Sequence, residues 1–329
     1  MSAKPKILSI GEMEPRVEEA LAGDFEILST RTHKLQALLA AHAQEIAGLI
    51  TRGRAPTDAT LLAALPQLQI VANYGVGYDS VDCAAAAVQG VVVTNTPDVL
   101  NDEMADFTVG LLLATIRQLP QADAYLRAGR WAQQGPFPLT ASLRDRKIGI
   151  AGLGRIGQVT AKRLEAFGRP IAYYNRSPRP GLAYEYFSSL EALAEAVDTL
   201  IVVLPGGAAT RHAVNEAVLK KLGPNGLLIN VARGSVVDED ALIAALQNGA
   251  ILGAGLDVFA QEPLVPQALR DLPNLVLTPH MGTGTHHTRR LMGNLVIDNV
   301  RSWFAGAGPL TPVPETPWKK APGGAANVA

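Results

Sequence analysis

Three residues whose types suit work on a carbonyl group lie in the last third of this 329-residue chain. Arg233 stands in Asn230-Val231-Ala232-Arg233-Gly234, and Glu262 in Asp257-Val258-Phe259-Ala260-Gln261-Glu262-Pro263. His280 stands in Thr278-Pro279-His280-Met281-Gly282. Each follows a short apolar run of strand type, and in open α/β sheets the carboxyl ends of the strands face the ligand crevice. A guanidinium, an acid and an imidazole on one sheet edge suit reduction of an α-keto acid. Arg233 would clamp the carboxylate and polarise the carbonyl. His280 would give the carbonyl oxygen its proton, and Glu262 beside it would hold the ring and keep it protonated. Each residue alone is more often structural; it is their convergence on one sheet edge that fits this chemistry.

The reductant is announced by Lys147-Ile148-Gly149-Ile150-Ala151-Gly152-Leu153-Gly154-Arg155-Ile156-Gly157. A strand runs into Gly-x-Gly-x-x-Gly and a helix follows. The first glycine permits the turn, the second lets backbone approach a pyrophosphate, and the third lets helix pack on strand. The phosphates would sit at the helix N-terminus, where unpaired N–H groups favour negative charge. In such folds an Asp or Glu about 20 residues further on takes the ribose hydroxyls. Here the strand ends in Asn175-Arg176-Ser177 instead. An amide, a guanidinium and a hydroxyl can all donate to a 2′-phosphate, so NADP(H) is expected over NAD(H), which stays possible as a weaker cofactor. His286 and His287 are adjacent on a helix with no acid or cysteine at ligand spacing, so no metal site is expected and both are read as surface residues.

The elements that must carry these residues alternate between strand and helix. Strands are predicted at 6–10, 25–29, 48–51, 69–72 and 91–94, with helices at 14–22, 34–43, 57–65 and 80–89 between them. After the glycine motif, strands at 170–174, 199–204, 227–230, 251–257 and 275–278 alternate with helices at 188–197, 213–222 and 239–247. Two runs of alternation mean two doubly wound parallel-sheet α/β domains, the larger a Rossmann dinucleotide-binding domain. One long apolar helix is expected at 101–119 and a last helix at 288–305. The looser segment 120–146 is too long for an ordinary connection and reads as an arm for subunit contact. If the last helix returns to the first unit, residues 1–99 with 288–329 form a discontinuous substrate domain. Residues 100–287 then form the NADP domain with its arm at about 119–146, and the active site falls in the interdomain cleft.

Bulk properties exclude other classes. Hydrophobic residues make up 48% and charged residues 18%, enough for a large core. A net charge of −1 removes the electrostatic case for nucleic acid or an anionic membrane as partner. No run of about 18 apolar residues exists for a membrane span, and the first residues lack the pattern of a signal peptide. Cys83 is the only cysteine, so no internal disulfide forms and a cytoplasmic location is expected. Cys83 itself reads as a small buried hydrophobe in an alanine-rich helix.

These motifs, with Asn73-Tyr74-Gly75-Val76-Gly77-Tyr78-Asp79, resemble the D-isomer-specific 2-hydroxyacid dehydrogenase family in order and over nearly the whole chain. The resemblance implies that Arg233, Glu262 and His280 are the catalytic three, and that Val76 and Gly77 join Arg233 and His280 in binding substrate, through backbone N–H groups. It implies that Asp257 meets the nicotinamide carboxamide and that Thr108 reaches the cofactor from the long helix. The full cofactor set expected is Thr108, Gly152, Leu153, Gly154, Arg155, Ile156, Gly157, Asn175, Arg176, Ser177, Leu204, Pro205, Val231, Ala232, Asp257 and Gly282. A closing cleft and a homodimer are implied as well, with Trp131 the arm residue most apt to reach the partner. Within the family, Glu262 argues against formate dehydrogenases, which carry Gln there. The missing ribose acid argues against lactate- and vancomycin-type members, and no regulatory domain fits after Ala305. Glyoxylate/hydroxypyruvate reductases are the nearest pattern. Arylpyruvate or 2-ketogluconate reduction, and a dinucleotide-sensing corepressor-like protein, are the alternatives.

Overall fold

Runs of β-branched and aliphatic residues, nearly all followed by a helix, form two parallel sheets. The computed structural model describes residues 4–53 and 55–318. The chain divides into two compact units, one running up to Leu100 and resuming at Thr285, the other spanning Asn101–Gly284.

The first unit alternates β1 (Lys6–Ile10), α1 (Pro15–Ala22), β2 (Glu26–Ser29), α2 (Leu35–His42), β3 (Ile46–Arg52), α3 (Ala59–Ala63), β4 (Ile70–Tyr74), α4 (Cys83–Val88) and β5 (Val92–Thr94). The second begins with α5 (Asn101–Ile116), α6 (Leu119–Arg127) and α7 (Arg130–Gln134). It continues through β6 (Ile148–Ala151), α8 (Arg155–Glu165), β7 (Ile171–Tyr174), β8 (Glu185–Phe187), α9 (Leu190–Ala196) and β9 (Thr199–Val202). It ends with α10 (Glu216–Leu222), β10 (Leu227–Asn230), α11 (Glu239–Gln247), β11 (Gly253–Leu256), α12 (Gln267–Arg270) and β12 (Leu275–Leu277). Helix α13 (His286–Phe304) belongs to the first unit.

All sheet pairings are parallel, in the orders β2-β1-β3-β4-β5 and β12-β11-β10-β9-β6-β7-β8. In the larger sheet the order reverses between β6 and β9, which opens a crevice at the carboxyl ends of those two strands. Strands β6, β9 and β10 are buried along their whole length, as a sheet covered on both faces requires. Helix starts are set by short polar caps: Asp58, Asp82, Ser189, Asn215, Asp238 and Thr285 each accept from the backbone N–H three residues on. In the first unit α13 covers the sheet face below β4. Trp303 packs on Ile70 and Val92 and its indole N–H donates to Gln69 Oε1 at 3.1 Å. The Tyr74 hydroxyl donates to the Arg289 carbonyl at 2.8 Å.

The structure departs from the sequence reading at three places. The long helix stops at Ile116, not 119, because Gln118 turns left-handed (φ 48°) and Pro120 has no N–H to continue the ladder. The segment 120–146 holds two helices, α6 and α7, and neither buries a residue. Strand β8 was not expected: its three residues lie at the sheet edge, too short to print a period. Cys83 is buried at the start of α4, as its neighbours predicted.

Candidate active site

The glycine turn is built as a phosphate cradle. Gly152 follows β6 with φ 102°, and a Cβ there would press on the Val203 backbone at 2.8 Å. A Cβ on Gly157 would fall on the Gly152 carbonyl oxygen, so only hydrogen lets α8 approach the turn. Gly154 is different: nothing lies within 4 Å of its added Cβ. The chain thus keeps space at the second glycine, beside the first-turn amides of α8, which have no intrahelical acceptor. Open volume, backbone donors and a helix N-terminus together fit a pyrophosphate.

The end of β7 has a double role. Asn175 Oδ1 accepts from the Leu153 N–H at 2.8 Å, tying the glycine turn to the next strand. That leaves the Asn175 NH₂ as its free donor side, and it takes the Leu153 amide out of use. Leu153 is itself fully buried. Arg176 and Ser177 are exposed just beyond, and the Arg179 N–H is held by the Tyr173 hydroxyl at 2.8 Å. After β9, Leu204 is buried and Pro205 exposed, the Pro205 carbonyl accepting from Thr210 Oγ1 at 2.6 Å. Thr108 is fully buried in α5 with its hydroxyl donating to the Met104 carbonyl at 2.6 Å, so in this conformation it offers no surface.

The acid–imidazole pair is formed. His280 Nδ1 lies 2.7 Å from Glu262 Oε2. A carboxylate only accepts, so Nδ1 carries the proton and Nε2 is left for other work. The Glu262 side chain is 13% exposed and that of His280 34%. Glu262 Oε1 accepts from the Phe259 N–H at 3.0 Å, and Glu239, at the first turn of α11, accepts from the Ala260 N–H at 2.7 Å. Burial raises the Glu239 carboxyl above its ordinary range against that hydrogen bond, with Asp240 and Glu262 adding to the rise. Asp257 is buried, and its carboxylate accepts from Thr278 Oγ1 at 2.7 Å, Met281 N–H at 2.8 Å and Gly282 N–H at 2.9 Å. Burial raises its carboxyl too, and those three donors oppose the rise.

Arg233 follows β10, the neighbour of β11, which in turn neighbours β12. Arg233, Glu262 and His280 thus leave three consecutive parallel strands at their carboxyl ends. Asn230 shapes the first of these turns, donating to the Arg233 carbonyl at 3.1 Å and accepting from the Ala232 N–H at 3.1 Å. Val231 and Ala232 are buried in that turn. Gly234 abuts the Phe259 backbone so closely that any Cβ would overlap it, which locks the Arg233 and Glu262 loops together.

In the first unit, the loop after β4 turns its carbonyls inward. Asn73 Nδ2 donates to the Gly75 and Gly77 carbonyls at 3.0 and 3.1 Å, and Asn95 Nδ2 to the Val76 carbonyl at 2.9 Å. Among the described residues no acceptor meets the Val76 or Gly77 N–H. Two successive amides without a protein acceptor are a ready receptor for a carboxylate. Sequence reasoning did not give Asn73, Asn95, Asn230 or Glu239 a role. The first three carried a signal: each is a polar residue at a strand's carboxyl end, where the interior must satisfy backbone groups. His286 and His287 are exposed, and no cluster of three or more His, Cys, Asp or Glu able to hold a metal occurs among the described residues.

Known proteins repeat this pattern. Residues 109–282 match the family described as D-isomer specific 2-hydroxyacid dehydrogenase, NAD binding domain. A hydroxyphenylpyruvate reductase of Plectranthus scutellarioides is 44% identical over 308 residues, 93% of this chain and 98% of that protein. A glyoxylate/hydroxypyruvate reductase of Arabidopsis thaliana is 44% identical with the same coverage. Among solved structures, an NADPH-dependent glyoxylate/hydroxypyruvate reductase of Sinorhizobium meliloti, in complex with NADP and malonate, superposes with a TM-score of 0.91. It is 50% identical, and the match covers 97% of this chain and 100% of that one.

Proposed function

The chain belongs to the D-isomer-specific 2-hydroxyacid dehydrogenase family, and on that premise we propose that it reduces a small 2-keto acid to the D-2-hydroxy acid. The substrates are glyoxylate and hydroxypyruvate, the reactions named for two of its relatives. NADPH is the preferred reductant and NADH a weaker one. The observation that carries this reading is the 2.7 Å contact of His280 Nδ1 with Glu262 Oε2 at the carboxyl edge of a nucleotide-binding sheet.

The residues divide the work. The Val76 and Gly77 amides receive the substrate carboxylate, and Arg233 draws electron density toward the carbonyl oxygen. Glu262 holds the imidazole by Nδ1–H, so that Nε2–H of the protonated ring points outward and passes its proton to that oxygen as it becomes an alkoxide. When bound, the reduced nicotinamide supplies the hydride. Asp257 accepts from its carboxamide, the open backbone around Gly154 carries the pyrophosphate, and Arg176 with Ser177 donates to the 2′-phosphate. The arm at 119–146 supports a homodimer through its exposed apolar side chains, with Trp131 directed to the partner. A reducing cytoplasm suits a chain whose single cysteine is buried.

The test is a panel of 2-keto acids with each reduced nucleotide, followed by loss of nucleotide absorbance. Glyoxylate or hydroxypyruvate with NADPH gives the highest kcat/KM, and that value falls as the solution is made alkaline, since the ring must be charged to donate. Arylpyruvates as the best substrates would move the assignment to the chemistry of the Plectranthus relative. No turnover with any member would end it.

A further inference from the structure

The segment Leu310-Thr311-Pro312-Val313-Pro314-Glu315-Thr316 takes no part in the reaction proposed above. Proline at 312 and 314 removes two N–H groups, so the segment can pair with a sheet edge only through alternate residues. It does so on β5, the edge strand of the first sheet. The Val93 carbonyl accepts from the Val313 N–H at 2.9 Å, and the Val93 N–H donates to Thr316 Oγ1 at 2.9 Å. Thr311 holds both backbone groups of Asn95. Its carbonyl accepts from the Asn95 N–H at 3.3 Å, and its hydroxyl donates to the Asn95 carbonyl at 2.6 Å. From α13, Asn299 fixes Thr311 in turn, accepting from its N–H at 3.1 Å and donating to its hydroxyl at 3.0 Å. Asn299 and Val313 are both 1% exposed, so this strap is anchored in the core.

Two contacts lead from the strap to the loop after β4. Asn95, held by Thr311, donates to the Val76 carbonyl at 2.9 Å. Glu315 accepts from the Tyr78 hydroxyl, its nearer oxygen at 3.1 Å. Burial, with the Glu315 contact second, pushes that hydroxyl up to about 12, so it stays a donor at working pH. A trans peptide points its N–H opposite its C=O. The Val76 carbonyl and the Gly77 N–H share one peptide, so the bond that holds the carbonyl also aims the N–H. We propose that Thr311 and Glu315 are positioning residues for the substrate: through Asn95 and Tyr78 they clamp the 76–78 backbone so that the Gly77 N–H faces the carboxylate of the 2-keto acid. This rests on that loop being the carboxylate receptor of the proposed function. Such a receptor holds substrate and transition state alike, so loosening it raises KM and leaves kcat.

Steady-state kinetics with glyoxylate and NADPH test it in the full chain. Thr311→Val removes the hydroxyl and keeps the shape, and Tyr78→Phe removes only the donor to Glu315. Each raises KM for glyoxylate by roughly two- to tenfold, the scale of one hydrogen bond, with kcat and NADPH affinity retained. Thr311→Ser keeps the hydroxyl and restores the native KM. Glu315→Ala added to Tyr78→Phe costs nothing more, because both break one contact. Ser302→Ala is the control. It cuts a 2.6 Å bond to the Gly308 carbonyl at the base of the strap and touches no part of the loop, so it lowers Tm without moving KM. An unchanged KM in either Thr311→Val or Tyr78→Phe, or the same rise in Ser302→Ala, would overturn the proposal. The Val76 and Gly77 amide resonances read the loop without turnover. Both shift between the native protein and Thr311→Val with no ligand present; unchanged resonances sink the idea. Oxalate, which offers a carboxylate and no reducible carbonyl, moves both in the native protein and binds Thr311→Val more weakly. If no 2-keto acid is reduced and oxalate moves neither amide, the receptor assignment fails, while the unliganded shifts still decide whether the strap sets the loop.

Discussion

At the scale of single residues, the nucleotide end of the site rests on what replaced an acid. Asn175 uses its oxygen to hold the Leu153 amide, which ties the glycine turn to the end of β7. Arg176 and Ser177 are exposed beside it, and neither position carries a carboxylate to repel a 2′-phosphate. Hydrogen bonds to charged groups are worth about 1.5–3 kcal/mol, so Arg176→Ala should raise the Kd for NADPH by roughly ten- to a hundredfold. The Kd for NADH should hardly move. Fluorescence titration with both nucleotides reads this directly, and parallel losses for the two would remove Arg176 from the discrimination. The chemical types at the strand ends were legible as letters, and Arg, Glu and His there already suggested carbonyl chemistry. What the letters did not carry was their support. Asn73 and Asn95 face the Val76–Gly77 loop, and Asn230 shapes the Arg233 turn, because buried carbonyls and amides must find partners. Such pairings depend on which strands end up adjacent.

At the scale of elements, the fit of α8 against the glycine turn is the tightest constraint in the nucleotide unit. Gly157→Ala would push a methyl into the Gly152 carbonyl. Overpacking of this kind costs about 1–3 kcal/mol, and here the helix must back away from its phosphate position. A lower Tm together with loss of nucleotide binding is expected from thermal melts with and without NADPH. Gly154→Ala, where space is open, should leave Tm intact and weaken only binding. The start of α11 makes a pH-dependent case. Glu239 has a raised carboxyl, chiefly from burial. A carboxyl raised on folding favours the folded state in acid and loses that advantage as pH climbs through its folded value. At neutral pH the native protein therefore carries the desolvation cost of the charge. Glu239→Gln keeps an oxygen for the Ala260 N–H and removes that cost. Its Tm should exceed the native value at neutral pH, and the gap should close as the solution is acidified below the ordinary carboxylate range. A gap independent of pH would show that charge is not the cause. Helices and strands of ordinary length were legible from periodicity and caps. The end of α5, the two helices of the arm and the short β8 were not, because a left-handed Gln118, a solvent-facing helix pair and a three-residue edge strand leave almost no period to read.

At the scale of the whole molecule, the first unit is closed by a helix nearly two hundred residues away from its last strand in sequence. Trp303 on Ile70 and Val92, and Tyr74 bonded to the Arg289 carbonyl, make α13 part of that unit's core. No helix among the described residues is long and apolar enough to cross a membrane. The arm concentrates exposed apolar side chains on one short segment. Leu119, Leu126, Trp131 and Leu139 are all exposed, Trp131 by 62%. So many large apolar side chains on one short segment call for a cover, and a second copy of the chain is the cover proposed. Sedimentation velocity should give a two-chain particle, and Leu126→Glu, a charge on that surface, should shift it toward one chain. A native protein that sediments as a single chain at all concentrations would set the dimer aside. The sequence by itself determined the nucleotide turn, the strand-helix alternation and the chemical types at each strand end, because these are local matters of spacing, backbone freedom and side-chain chemistry. Only the tertiary structure decided that Glu262 meets His280 and that Asp257 clasps the histidine turn. Those depend on the order of strands in the sheet, which brings together residues far apart along the chain and which no local pattern encodes.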